Sequence, residues 1–253
     1  MFTRFFLLAA LLFSTCTFFL SGCSEKNNGT YKIGIDSLWY PLDFKGQENN
    51  VMGFSTELLT EISKNEKLYL SLLNTNWDSL FQGLKAGTYQ AVLSSLPPYN
   101  FNLKQYDFSD LYLPLGPVLI LPSSSKSTSL TKMNGKEIGV IVGSSSILIL
   151  ETYPEISIQT YGSASALIND LLIGNIDGAL LPILIAESFT RGSFTDSIKI
   201  VSKPLNNEGL RILTLKGQSP NLIKYFNKGL KHLEKTGQYS KLLKEWQLIE
   251  TSP

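Results

Sequence analysis

The sequence is short of cysteine, histidine and arginine. Its two cysteines, Cys16 and Cys23, both fall within the first 23 residues, so the remaining chain has no thiol for a disulfide or a cysteine metal site. Packing alone must hold it. The single histidine, His232, sits among Lys231, Glu234 and Lys235, the setting of a solvated helix face and not of a general base. Ser144 to Ser146 have no partner histidine in the pattern, and no metal-ligand spacing occurs, which argues against a catalytic site and leaves no call for a metal or cofactor. Charge of one sign is missing too. Lys+Arg total 22 against Asp+Glu 21, and with Arg4 in the leader the rest balances, so there is no general field for nucleic acid or acidic lipid. What is there is a globular composition: 253 residues, 43% hydrophobic and 17% charged, are enough to bury a core or two.

The N-terminus reads as a targeting segment. Residues 1–22 of "MFTRFFLLAALLFSTCTFFLSGC" carry one basic residue, an apolar run and small residues at the processing site. "LSGC", Leu20 to Cys23, resembles the bacterial lipobox, which implies a lipid on Cys23, cleavage before it, and a domain that faces away from the cytoplasm in the cell envelope. The other reading is an uncleaved membrane anchor, for which the run lies near the short limit of about 17 to 25 residues. Residues 23–30, polar and without period, read as a tether between membrane and domain.

Beyond the tether, strand and helix patterns alternate. "YKIGID" (31–36) reads as a strand, "FSTELLTEISKNE" (54–66) as a helix with Leu58, Leu59 and Ile62 on one face, and "LYLSLL" (68–73) as a strand. A helix over 77–87, stopped by glycine, and a strand "QAVLSS" (90–95) complete a parallel βαβαβ unit. The order then recurs: strand 137–143, a helix from Ser144 to about Thr152, strand 156–161, a helix over "SASALINDLLIG" and strand 176–183. "GNIDGALLP" (174–182) is thus the second copy of "GTYQAVLSS" (87–95), each the third strand of its unit. Two α/β lobes with parallel sheets follow, residues 31–114 plus 209–253 forming the first and 115–208 the second. The apolar runs 113–125 and 198–215 serve as crossovers, and the helical remainder returns to the first lobe with Leu222, Phe226, Leu230 and Leu233 on one stripe.

Ligands of open parallel sheets bind beyond the carboxyl ends of the strands, and in a two-lobed protein both sets of ends can face one cleft. That places Asp36 and Trp39 after the first strand, Ser94 and Ser95 after the third, and Gly143, Ser144 and Ser145 opening a helix of the second lobe. A helix N-terminus presents free N–H groups and positive partial charge, which suits a carboxylate.

In "IGIDSLWYPLDF", "VMGFSTELLTEIS", "NWDSLFQGLKAG", "YDFSDLY", "MNGKEIGVIVGSSS", "GNIDGALL" and "NKGLKHLEKTGQYSKLLKEW", taken in that order, the chain resembles the bacterial extracellular solute-binding proteins, family 3, of polar amino-acid ABC importers. The resemblance covers nearly all of residues 31–249. It implies the two-lobed type II periplasmic binding-protein fold, with two α/β lobes joined by two strands that close over a small solute and hand it to an ABC permease. It further implies that Asp36, Trp39 and Trp77 line the first lobe's pocket, that Ser144 and Ser145 take the place of a Gly-Thr carboxylate cradle, and that Ser95 replaces a glycine whose backbone faces the ligand.

Two departures bear on the solute. Where the family has an arginine that clamps the ligand's α-carboxylate, "PPYNFN" places Asn102, and where it has an aspartate for the α-ammonium, this chain has Pro182. An unpaired buried charge costs several kcal/mol, against only about 8.2 kcal/mol for a micromolar complex, so substitutes are needed. Only Arg191 and Arg211 remain beyond the leader, and Arg211, in the second crossover, is the candidate replacement clamp, with Asp36 the candidate for an amine. The expected ligand is an amino-acid-like solute with more apolar surface than glutamine or arginine, a modified amino acid or short peptide among them. Two other classes use the same fold: a sensor or interaction lipoprotein without a solute, and a dehydratase-like or lytic enzyme.

Overall fold

The glycine echo of the sequence is a device for docking a third strand on a first. The computed structural model describes residues 28–39, 42, 44, 46–191 and 194–248; the leader, Cys23 and the start of the tether lie outside them, as do Tyr40 and Pro41. In the first lobe β1 (Thr30–Asp36) pairs in parallel with β2 (Tyr69–Thr75) on one side and β3 (Ala91–Ser94) on the other. Gly87, in the left-handed region at φ 75°, turns the chain so that Tyr89 lies on Gly34 of β1, where an added Cβ would come within 2.6 Å of the ring. Gln90 then clasps Lys32, its N–H donating to the Lys32 carbonyl (2.9 Å) and its Oε1 accepting from the Lys32 N–H (2.9 Å).

The second lobe repeats the device around β7 (Glu137–Ile141) and β9 (Gly178–Pro182). Gly174 has φ 82°, Ile176 covers Gly139 at 2.7 Å from an added Cβ, and Asp177 clasps Glu137 through its N–H (2.9 Å) and its Oδ2 (3.0 Å). Burial alone would raise the Asp177 carboxyl, but the Glu137 N–H and the Lys136 ammonium, 2.9 Å away, outweigh it and hold the group below its ordinary value. A carboxyl lowered in the folded state contributes stability above its unfolded pKa and loses it as pH falls through the folded one. Asp177→Asn should therefore flatten the fall in urea midpoint between pH 6 and pH 3. The difference is no more than about 1 kcal/mol, because the pair is solvent-screened.

Each lobe is a mixed sheet and not a wholly parallel one. The first has the order β2-β1-β3-β11-β4, with β4 (Tyr106–Phe108), β5 (Leu113–Pro114) and β11 (Gly209–Leu215), and β11 runs antiparallel to all three strands it touches, β3, β4 and β5. The second has β10-β6-β9-β7-β8, where β6 (Pro117–Pro122) runs antiparallel to β9 and to β10 (Ile198–Ile200), while β7 pairs in parallel with β8 (Ser157–Tyr161). The reason is the crossovers. Chain that passes from one lobe to the other enters each sheet from the cleft side, opposite to the βα units, so the runs read as crossovers are largely strands and only Leu115–Gly116 and 201–208 lie between the sheets.

Helices cover both faces. α1 (Glu48–Glu66) starts six residues earlier than the pattern suggests, because Gly53 lets Trp246 lie flat on it; an added Cβ would stand 2.0 Å from the indole. Trp246 is fixed there by its Nε1–H donating to Glu57 (2.7 Å) and its carbonyl accepting from Asn50 (2.9 Å). α2 (Trp77–Lys85) is capped by Asn76, whose Oδ1 accepts from the Ser79 N–H, and α5 (Ala164–Ile173) by Ser163, which accepts from Ala166. Short α3 (Asn100–Leu103), α4 (Ser146–Leu150) and α6 (Ile183–Thr190) fill the turns, and α7 (Pro220–Lys235) and α8 (Gln238–Glu245), broken at Gly237, pack back on α1. The stripe Leu222, Phe226, Leu230, Leu233 is fully buried there, with Phe54, Leu58 and Ile62 of α1 in the same core.

Candidate functional site

The carboxyl ends of β1 and β3 bring the predicted residues of the first lobe together. Asp36, Trp39, Trp77, Ser94 and Ser95 line one crevice with Leu42, Leu80, Leu93 and Leu210. The sequence reading missed the leucines. Their only signal is position, each lying on or next to an element that ends at the mouth. The space among them is about 10 Å3, about what a single water needs. The crevice is thus too small to enclose a solute.

Trp39 is the residue the local chain holds at a cost. Its N–H donates to the Asp36 carbonyl (2.9 Å), its carbonyl accepts from Leu42 (2.8 Å), and its φ is 58°. The left-handed region costs a side chain with a Cβ about 1–2 kcal/mol. The indole, 4% exposed, is edge-on to Phe44 at 6.1 Å. Asp36 is buried as well, its Oδ1 accepting from the Leu38 N–H (3.0 Å). Ser94 Oγ accepts from Leu96 (3.1 Å).

Arg211 enters from β11. The antiparallel register sets it opposite Ser94, so the two side chains share one face of the sheet at the mouth. One Nη2–H donates to the Asn207 carbonyl (2.7 Å), which ties the guanidinium to the second crossing. Burial pulls its pKa below the ordinary value, with the Asp110 carboxylate opposing. The cation is thus short of anionic company. Arg191 is committed elsewhere, to Glu187 and to the Gln247 carbonyl (3.0 Å).

In the second lobe, Gly143 (φ 75°), Ser144 and Ser145 follow β7. They do not open a long helix: α4 begins at Ser146 and has five residues, too short for the helix-end field expected from "GSSS". Ser145 Oγ accepts from Asn206 Nδ2 over a long 3.5 Å. Asn102 stands apart. It is 5% exposed and its Nδ2 donates to the Pro97 carbonyl (2.8 Å), so the amide at the clamp position is spent on its own loop. Pro182 ends β9 and caps α6. His232 is exposed on α7, in a groove with Glu66 at the opposite end of β1 from Asp36.

Among the described residues four buried side-chain polar atoms have no hydrogen-bond partner: Trp39 Nε1, Ser144 Oγ, Arg211 Nε and Thr214 Oγ1. An orphaned buried donor costs about 1–3 kcal/mol, so such atoms are rare and need a reason. Three of the four belong to residues that the sequence assigns to the ligand.

Comparison with known proteins bears out the family resemblance and the fold. The family model of bacterial extracellular solute-binding proteins, family 3, matches residues 31–249. The arginine-binding extracellular protein ArtP of Bacillus subtilis is 27% identical, over 93% of this chain and 96% of its own. The L-cystine-binding protein TcyJ of Escherichia coli is 23% identical, over 87% and 84%. Among solved structures, the L-cystine solute receptor of Neisseria gonorrhoeae in its unliganded open conformation matches with a TM-score of 0.69 at 19% identity, covering 87% of this chain and 93% of that one. Substrate binding domain 2 of Lactococcus lactis GlnP in its open conformation matches with a TM-score of 0.68 at 20% identity, covering 90% and 98%. Both share the two-lobed type II fold. These are solute-binding proteins and not enzymes, and the chain belongs to the bacterial extracellular solute-binding proteins, family 3.

Proposed function

We propose that the chain is the lipid-anchored receptor of an ABC importer, with residues 31–114 and 209–253 as one jaw and 115–208 as the other. Anchored through Cys23, it takes an amino-acid-related solute between the lobes and delivers it to a permease. The observation that carries the reading is the set of unpartnered buried polar atoms, Trp39 Nε1 and Arg211 Nε in the first lobe and Ser144 Oγ in the second, each on or beside a strand end of its sheet. Arg211 replaces the absent clamp and meets a carboxylate or carbonyl, Asp36 meets an amine, and Trp77 offers a half-buried ring for stacking. Relatives that bind arginine or L-cystine support an amino-acid-like solute.

The side chain of the solute is read from what surrounds it. Leu38 and Val142, at the ends of β1 and β7, are 75% and 63% exposed, so a solute held between the lobes meets apolar surface that gains from cover. A solute with more apolar surface than glutamine or arginine provides it. Calorimetry with free amino acids and dipeptides is the test: the lowest Kd should belong to ligands with apolar side chains, and tight binding of glutamine or arginine alone would overturn the reading.

Ser144→Ala gives a separate check. Removing a buried hydroxyl with no partner should raise the stability of the unliganded protein by about 1 kcal/mol, seen as a higher urea midpoint, while affinity for the solute falls several-fold. A lower midpoint would show that the hydroxyl is already satisfied.

A further inference from the structure

The balanced net charge conceals a segregated one. On α7, Lys224, Lys228, Lys231 and Lys235 recur at intervals of four, three and four, and so line one face, opposite the buried stripe. With His232 and Asn227 they border a groove of about 760 Å3 against the end of α1, where Asn65 and Glu66 form the other wall. Two lysines are partly answered: Lys228 by Glu66 (2.6 Å) and Lys231 by Asp110 (3.5 Å), yet their side chains are still 67% and 66% exposed. Lys224 and Lys235 have no ion pair among the described residues.

The same place is where the chain enters the fold. Asn28 donates through its N–H to the Lys67 carbonyl (2.8 Å) and through Nδ2 to the Glu66 carbonyl (2.7 Å). Glu66 is the residue that pairs Lys228, and Gly229 of α7 packs within 3.3 Å of it, measured from an added Cβ. Four residues lie between Cys23 and Asn28, so the two are at most about 18 Å apart even when the chain is fully extended. The membrane and the basic face are therefore tied to one locus.

We propose that the lysine face of α7 docks on the anionic phospholipid headgroups of the membrane that carries the anchor. The proposal rests on the lipid-anchor reading for its geometry. Lysines held this close to a negatively charged bilayer are attracted within about a Debye length of 8 Å, and the tether keeps them near that range. An acidic soluble partner would have the charge but not the enforced proximity.

The test uses the full acylated chain in vesicles of phosphatidylglycerol with phosphatidylcholine, or of phosphatidylcholine alone, and reads lysine labelling by an amine reagent with mass spectrometry. At low salt, Lys224, Lys228, Lys231 and Lys235 should label several-fold more slowly on the anionic vesicles, with Lys132 of the second lobe unchanged. The difference should vanish near 1 M salt, where screening shortens to about 3 Å. Lys224→Gln with Lys235→Gln should abolish most of the protection of Lys228 and Lys231. Equal labelling on both vesicles overturns the proposal, as does protection by soluble polyglutamate but not by the vesicles. If mass spectrometry finds Cys23 without lipid, the anchor reading fails by itself. The face is then tested by whether the unacylated chain floats with anionic vesicles, and failure to float overturns the docking too.

Discussion

Replacing Trp39 by phenylalanine is expected to weaken solute binding roughly 10- to 100-fold while changing the stability of the unliganded protein by less than about 1 kcal/mol. The two halves of that result come from one atom. In the unliganded protein the indole N–H is buried without an acceptor, so deleting it relieves a cost; the smaller ring also gives up packing against Phe44, and the two effects oppose. On the proposed function the same N–H meets an oxygen of the solute, directly or through the one water the crevice can hold, and that bond is lost with nothing gained. Calorimetry and urea unfolding on the same preparation measure both. Unchanged affinity would remove Trp39 from the site, and a stability loss of 3 kcal/mol or more would make it an ordinary core residue.

Phe226→Ala carries the largest expected loss of stability, about 3–5 kcal/mol. Phe226 has no exposed surface and sits where α7 meets α1, its ring edge-on to Tyr112 at 6.1 Å. Tyr112 stacks on Phe54 at 6.4 Å and shares a hydrogen bond with Ser55 (3.1 Å), while Tyr239 donates to the Tyr112 carbonyl (2.8 Å). Burial pushes the Tyr112 and Tyr239 hydroxyls far above their ordinary pKa, so neither can be charged to let water in. The cavity left by Phe226 has rigid, aromatic walls and cannot collapse. Urea unfolding should show the drop at unchanged slope; a loss under about 1.5 kcal/mol would mean that the site relaxes freely.

The repeated strand units were legible because their signals are local: a glycine that needs positive φ, then two residues that dock on the first strand. Gly87 and Gly174 show both in sequence. Strand direction was not legible, since an apolar run such as "PVLILP" reads the same either way and only the path between lobes decides it. The start of α1 was hidden by Gly53, whose reason is Trp246, far along the chain. At the site, residue types at strand ends pointed to Asp36, Trp39, Ser94 and Ser95, and the family resemblance to Trp77; the five share one crevice. The positive φ of Trp39 and the orphaned donors were not legible, because strain and unmet hydrogen bonds exist only once the rest of the fold is in place.

Asn206 links two things that a receptor must not do independently. It lies in the second crossing, its Oδ1 accepts from the Glu208 N–H (3.0 Å), and it presses on Gly116 of the first crossing, where a Cβ would stand 2.3 Å from that oxygen. Its amide nitrogen reaches across to Ser145. One side chain therefore touches both crossings and the serine loop of the second lobe. On the proposed function, a solute that moves Ser145 also moves the crossing at Asn206, and this couples filling to closure.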